Sequence, residues 1–114
     1  MFMRYTVPLM LAIALFTACK KDKSPDLKDA LQYTETQCSD PWAKDVERGN
    51  DFAARLESWL ETKTGAAIGK PYMKFFKDKA ILCYACSCTT GNVIYVWPPA
   101  GSEQKFLDLG FTKP

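Results

Sequence analysis

The chain has 114 residues, of which 47% are hydrophobic and 25% charged, with five cysteines and no histidine. This length and composition are typical of one folded domain. The absence of histidine excludes Ser-His-Asp and Cys-His catalysis, and with them histidine zinc sites and haem ligation by histidine. Fifteen basic and thirteen acidic side chains give a net charge of +2. That charge is too small for a protein that binds nucleic acid electrostatically.

The N-terminal residues have the pattern of an export signal. Arg4 precedes an apolar run over residues 7–16, which is shorter than the roughly 20 apolar residues of a membrane-spanning helix. The run ends in the tetrapeptide FTAC at 16–19, after which the chain becomes polar. This ending resembles the lipobox of bacterial lipoprotein precursors, in which the cysteine is lipidated and becomes the first residue of the mature protein.

The resemblance implies a signal peptide over residues 1–18 and a palmitate-type lipid on Cys19, with Lys20 suited to delivery to the outer membrane. An ordinary signal peptide with a chance cysteine is the alternative. Residues 20–29 carry seven charges and one large apolar side chain, too little apolar surface to order themselves. We therefore expect a lipidated cysteine and flexible tether over 19–29, and an outer-membrane lipoprotein whose side of that membrane is left open.

Residues 30–114 are expected to form one small domain. Alternation over residues 30–38 predicts a first strand, with Leu31, Tyr33 and Glu35 on one side. Helical spacing predicts a helix over residues 51–63, capped by Asn50 and stopped by Gly65. Its apolar stripe, which is expected to pack in the core, consists of Phe52, Leu56, Trp59 and Leu60.

The second half of the domain is rich in β-forming residues, and its end has helix signals. Its predicted elements are strands at 72–76 and 80–82 around a turn at 77–79, β-prone residues at 89–97 with a hairpin signal at Gly91-Asn92, and a helix at 103–109 that stops at Gly110 with Phe111 folded back on it. The order β-α-β-β-β-α predicts an α+β domain, with a mainly antiparallel sheet packed against one main helix.

Four cysteines remain for this domain, and an even number in a small exported domain indicates two disulfides. A bridge between Cys86 and Cys88 is excluded, because in extended chain their Cβ atoms point the same way with Cα atoms about 6.5 Å apart, whereas a disulfide needs Cβ atoms about 3.8 Å apart and the bond would be strained. Cys38 therefore pairs with Cys86 or Cys88, and Cys83 with the other. Since Cys83 has the opposite parity to both, two bridges require a turn or bulge around 84–85.

Two other roles for these cysteines are open. The spacing Cys83-x-x-Cys86-x-Cys88 resembles a metal knuckle to which Cys38 would add a fourth thiolate. Thiol–disulfide exchange through Cys83 and Cys86 is the other, although such pairs usually begin a helix, whereas a β-prone run follows here. Structural disulfides are favoured because the domain is small and exported, and because a zinc ribbon normally has two C-x-x-C pairs.

No motif for catalysis or for a cofactor is present. The leading hypothesis is a membrane-tethered extracytoplasmic binding or inhibitory module without catalytic activity, which contacts an envelope protein or glycan and no nucleic acid. The alternative is a thiol-active or metal-binding periplasmic protein. Trp42 and Trp97, each beside a proline, are candidate ligand-binding residues, although packing in the core is the more common role of such side chains. A group of lysines expected to guard a sheet edge comprises Lys70, Lys74, Lys77 and Lys79.

Overall fold

The computed structural model describes residues 25–114. The predicted signal peptide, the predicted lipidation site Cys19 and the first part of the predicted tether lie outside the described residues. Within residues 25–114, no helix combines the length and the apolar character that crossing a membrane requires.

The described chain forms a three-stranded antiparallel sheet and two helices, which confirms the predicted α+β class. The strands lie in the order β1-β3-β2, so β3 is central and β2 lies at one edge. The elements in chain order are β1 (Leu31–Thr36), α1 (Phe52–Thr64), β2 (Tyr72–Ala80), β3 (Thr89–Val96) and α2 (Glu103–Asp108).

Helix α1 places its predicted apolar stripe against the sheet. Phe52, Leu56 and Leu60 are buried, as expected for core positions four residues apart. Trp59 is only partly buried, and its indole Nε1 donates a hydrogen bond to the Asp45 carboxylate at 2.9 Å. The ring therefore lies at the rim of the core, with its polar end directed outward.

The ends of the helices agree with the predictions except at the N-cap of α1. Gly65 adopts φ 73°, and its N–H donates to the Glu61 carbonyl, as expected of a glycine that stops a helix. The N-cap position of α1 belongs to Asp51 and not to the predicted Asn50, and no side chain caps it. After α2, the N–H of Phe111 donates to the carbonyl of Phe106 at 3.1 Å. The chain therefore folds back as predicted.

The main core lies between the helices and one face of the sheet. Leu31, Ile94 and Val96 contribute from the strands, and Trp42 fills the centre with 1% of its surface exposed. The other buried members are Val46, Phe52, Leu56, Leu60, Ala66, Phe106 and Phe111.

Among residues 25–114, no helix contributes to the cluster of buried side chains on the opposite face of the sheet, which is called here the helix-free face. Val93 and Tyr95 of β3 are buried there among partly buried aromatic residues of β2 and beyond. The incoming chain crosses this face, since Leu27 packs on the cluster and the Asp26 carbonyl accepts a hydrogen bond from Trp97 Nε1 at 3.3 Å. Any tether to a membrane therefore reaches the domain on its helix-free face.

Two details of the predicted strands are wrong. Residues 77–79 do not form a turn, because β2 continues from Tyr72 to Ala80, with an irregular register to β3 after Phe75. Gly91 and Asn92 do not form a hairpin turn but lie inside β3, opposite Phe75. A single strand thus replaces the two predicted at 72–76 and 80–82. It ends at Ala80, so positions 81–82 are not strand but belong to the segment 81–88 that connects β2 to β3.

Gly91 has a specific reason to be glycine. Its φ is +102°, and a Cβ at this position would lie 2.5 Å from Cε1 of Phe75 and 3.0 Å from Cβ of Ala80. We expect Gly91→Ala to lower the free energy of unfolding by about 1–3 kcal/mol, measured by urea denaturation. Gly101→Ala is the matched control, since φ is +90° with nothing within 4 Å. An equal loss in both variants would show that the contact with Phe75 has no part in the effect.

Candidate functional site

The segment between β2 and β3, residues 81–88, projects from the end of the sheet and is called here the tip loop. It carries three of the four large exposed hydrophobic side chains among the described residues. Ile81 is 53% exposed, Leu82 is 97% exposed, and Tyr84 is fully exposed. Several exposed apolar side chains within one short loop mark an interaction site more often than isolated surface residues do.

Two disulfides hold the tip loop. Cys38 is bonded to Cys86, with Cα atoms 4.5 Å apart, and Cys83 to Cys88, with Cα atoms 6.1 Å apart. This is one of the two pairings that the sequence left open. The predicted turn is also present, because the chain bends at 84–85 and the Cys88 N–H donates to the Ala85 carbonyl at 3.1 Å.

Backbone hydrogen bonds extend the sheet into the base of the tip loop. Beyond the end of β1, the N–H of Gln37 donates to the Cys88 carbonyl at 2.8 Å, and that of Cys38 to the Cys86 carbonyl at 3.1 Å. On the other side, the N–H of Ile81 donates to the Thr89 carbonyl at 3.0 Å. The apolar side chains therefore project from a base that both hydrogen bonds and disulfides fix.

A buried ionic network lies behind this base, and the sequence did not predict it. Glu35 of β1 and Asp40 are 2% and 6% exposed. The guanidinium of Arg48 lies between them, with Nε 3.4 Å from Glu35 Oε2 and Nη2 3.8 Å from Asp40 Oδ2. The same Nη2 donates to the backbone carbonyls of Thr36 at 2.6 Å and Gln37 at 3.1 Å.

Each buried carboxylate also accepts hydrogen bonds from neutral groups. Glu35 Oε1 accepts from the Thr90 hydroxyl at 2.6 Å and from the Asn92 amide at 3.0 Å. Asp40 Oδ1 accepts from the Tyr33 hydroxyl at 2.9 Å and from the backbone N–H of Thr36 at 2.9 Å. Satisfied charges of this kind stabilise one arrangement of the chain, since an unpaired buried carboxylate is costly.

Tyr33 is tied to this network electrostatically. Its burial, together with the hydrogen bond to the Asp40 carboxylate, raises the pKa of its phenol. The hydroxyl therefore remains a protonated donor to Asp40 across neutral and mildly alkaline pH. The network fixes the segment from Thr36 to Gln37, which in turn carries the base of the tip loop.

The surface around Arg48 has two open depressions, of about 330 and 360 Å³. Asp40 and Trp42 line the first depression, and Glu35 and Asn92 line the second. Every carboxylate oxygen of the pair already has a partner within the protein. The arrangement is therefore suited to holding the fold rather than to transferring a proton.

The two candidate tryptophans have packing roles in the structure. Trp42 is buried in the main core, in edge contact with Trp59 at a centroid distance of 5.9 Å. Trp97 is partly buried beside the helix-free face. Neither ring lies in the tip loop, and packing is the role that the sequence favoured for both.

The four domain cysteines are brought together, but as two disulfides. In this oxidised state they have no thiolate to offer a metal ion, which requires deprotonated sulfur. Among residues 25–114, no group of three or more histidine, cysteine or acidic side chains is placed to hold a metal.

The fold and site define the class of the molecule as a small disulfide-bonded α+β domain with an apolar tip. Comparisons with protein families, with curated proteins and with solved structures found no match to this chain.

Proposed function

We propose that the protein is a non-catalytic binding module, tethered to the membrane through Cys19, which engages its target with the tip loop. The observation that carries the proposal is the exposure of Leu82 and Tyr84 on a base held by two disulfides. Rigid presentation lowers the entropy that a binding loop loses on association. Leucine and tyrosine also supply apolar area, and the tyrosine adds a hydroxyl for a polar contact at the rim.

The tether supports a function at the cell envelope. The FTAC ending at 16–19 resembles a lipobox, and the chain enters the domain near Asp26 and Leu27, beside Trp97. This entry point adjoins the start of β1, whereas the tip loop follows the end of β2 and leads into β3. A target can therefore reach the tip loop without displacing the tether.

Photochemical cross-linking in intact envelopes tests this proposal. A photoreactive amino acid placed at Leu82 or Tyr84 of the full chain is expected to give a discrete adduct with one envelope component. The same amino acid at Ser58, an exposed position of α1, is the matched control. With Cys19→Ser, the protein should leave the membrane fraction.

The proposal is wrong if positions 82 and 84 give no adduct, or give the same products as position 58. Retention of the Cys19→Ser variant in membranes, equal to that of the unaltered chain, would contradict the lipid tether alone. The two parts of the proposal are thus tested separately.

A second candidate function is thiol–disulfide exchange. Cys38, Cys83 and Cys86 all lie in exposed segments, and exchange requires access of a thiolate to a disulfide sulfur. This hypothesis predicts that the reduced protein transfers electrons to an added disulfide substrate while its fold survives. A purely structural role predicts loss of the fold on reduction and no catalysis of exchange.

A further inference from the structure

The lysines of the sheet edge are part of a strong charge asymmetry, which bears on the kind of target that the tip loop binds. Residues 70–97 contain four lysines and one acidic side chain, Asp78, a net charge of +3. The remaining described residues carry seven basic and eleven acidic side chains, a net charge of −4. The positive charge is therefore concentrated on β2 and its approach, next to the tip loop.

Two of these lysines lie around one aromatic ring near the tip loop. Lys74 pairs with Val93 in the sheet, which places it on the helix-free face. Its Nζ lies 5.2 Å from the centroid of the Phe76 ring, and the Nζ of Lys79 lies 5.8 Å from the same centroid. Both lysines are exposed, so their charges face solvent beside partly buried aromatic surface.

The helix-free face also receives the incoming chain, because Leu27 packs against its cluster. If this face lies against a surface, the tether and the lysines of β2 are directed to that surface. The tip loop at the end of the sheet can still reach it. An amphipathic surface with exposed leucine, an interfacial tyrosine and flanking lysines has the chemistry that binds anionic lipid bilayers. A bilayer needs no shape-matched pocket, which suits a protruding rather than a concave site.

We infer that the tip loop and the cationic helix-free face dock together on an anionic phospholipid bilayer. This inference rests on the proposed function, because it names the target of the same tip loop. Leu82 and Tyr84 enter the interfacial layer of the bilayer, while Lys74 and Lys79 lie against phosphate headgroups. The lysines therefore set the preference for anionic lipid, and the apolar tip supplies a component of binding that salt does not screen.

Vesicle binding of the acyl-free protein tests the inference. The probe is a vesicle of phosphatidylcholine containing about one-third phosphatidylglycerol, compared with pure phosphatidylcholine. The mature chain from residue 19, with both disulfides and with Cys19→Ser, is expected to sediment with the anionic vesicles and not with the neutral ones. Leu82→Ser/Tyr84→Ser should lower the partition coefficient by about tenfold, and Lys74→Glu/Lys79→Glu by roughly 30-fold.

Lys44→Glu/Lys113→Glu is the matched control, because it makes the same change in net charge at two exposed lysines outside the β2–β3 segment. A loss in this control equal to that of Lys74→Glu/Lys79→Glu would overturn the inference, as would equal binding to neutral and anionic vesicles. Absence of vesicle binding together with a protein adduct from position 82 would also overturn it. That last result would leave the proposed binding function of the tip loop intact.

Discussion

Replacing Arg48 by methionine is expected to lower the free energy of unfolding by about 2–4 kcal/mol. The substitution keeps most of the side chain's apolar stem but leaves Glu35 and Asp40 buried without their cation. It also removes the donor to the carbonyls of Thr36 and Gln37. The lower end of the range reflects the 47% exposure of the arginine side chain, which lets water screen part of its charge. Urea denaturation of the disulfide-bonded protein measures the change.

Arg55→Met is the control for this experiment. Arg55 is also within 4 Å of two carboxylates, those of Glu47 and Asp51, but all three groups are largely exposed. Its loss should change stability by less than about 0.5 kcal/mol. Arg48→Lys is expected to be only a partial replacement, since an ammonium lacks the planar fork that reaches carboxylates and carbonyls together. Similar small effects of Arg48→Met and Arg55→Met would show that the buried pair contributes little.

One part of the ionic network, the burial of Glu35, follows from the alternating pattern of β1. The alternation that places Leu31 and Tyr33 on the covered face of β1 also places Glu35 there, and an acid on a buried face needs a cation or several donors. The sequence therefore indicated that Glu35 needs a partner. It did not identify Arg48 as that partner, because Arg48 is one of several basic residues and only the path of the chain from Asp40 to Arg48 brings it to Glu35.

The elements with strong local signals were predicted well, and the connection between β2 and β3 was not. Helix α1 combines helical spacing with a glycine stop, and both determine structure locally. At Gly91 the local preference of Gly-Asn for a turn is overridden, because the glycine is needed beneath the ring of Phe75. The bend at 84–85 was predicted, because Cys83 has the opposite parity to Cys86 and Cys88 and two disulfides therefore cannot form on a regular strand there.

The exposure of the tip loop could not be predicted from its residues. Ile81 and Leu82 follow a β-forming run, and apolar residues in that position usually lie in a core. In the structure both side chains are exposed, and the chain that follows them is held by the bridges of Cys83 and Cys86. Constraint by disulfides, rather than burial, holds this part of the molecule in place.

The two disulfides are expected to differ in their effect on stability. Cys38–Cys86 joins residues 48 positions apart, and Cys83–Cys88 joins residues 5 positions apart. The loop-closure entropy that each removes from the unfolded chain corresponds to about 4 kcal/mol for the long loop and about 2 kcal/mol for the short one. Cys38→Ser/Cys86→Ser should therefore destabilise the domain more than Cys83→Ser/Cys88→Ser in urea denaturation, with equal losses as the contradicting result.

The same two double variants also test whether the short disulfide holds the tip loop in position for binding, in addition to stabilising the fold. The short bridge encloses Tyr84, and its Cys83 lies beyond the last hydrogen bond between the β2 and β3 sides of the loop, at Ile81, so its removal should loosen the tip loop while the sheet remains folded. Cys83→Ser/Cys88→Ser is thus expected to weaken cross-linking from position 84 at a urea concentration where the domain is still native. Unchanged cross-linking in this variant would mean that the apolar side chains bind without being held. In that case the long bridge alone, by anchoring the tip loop to the end of β1, would hold the loop in its position in the folded domain.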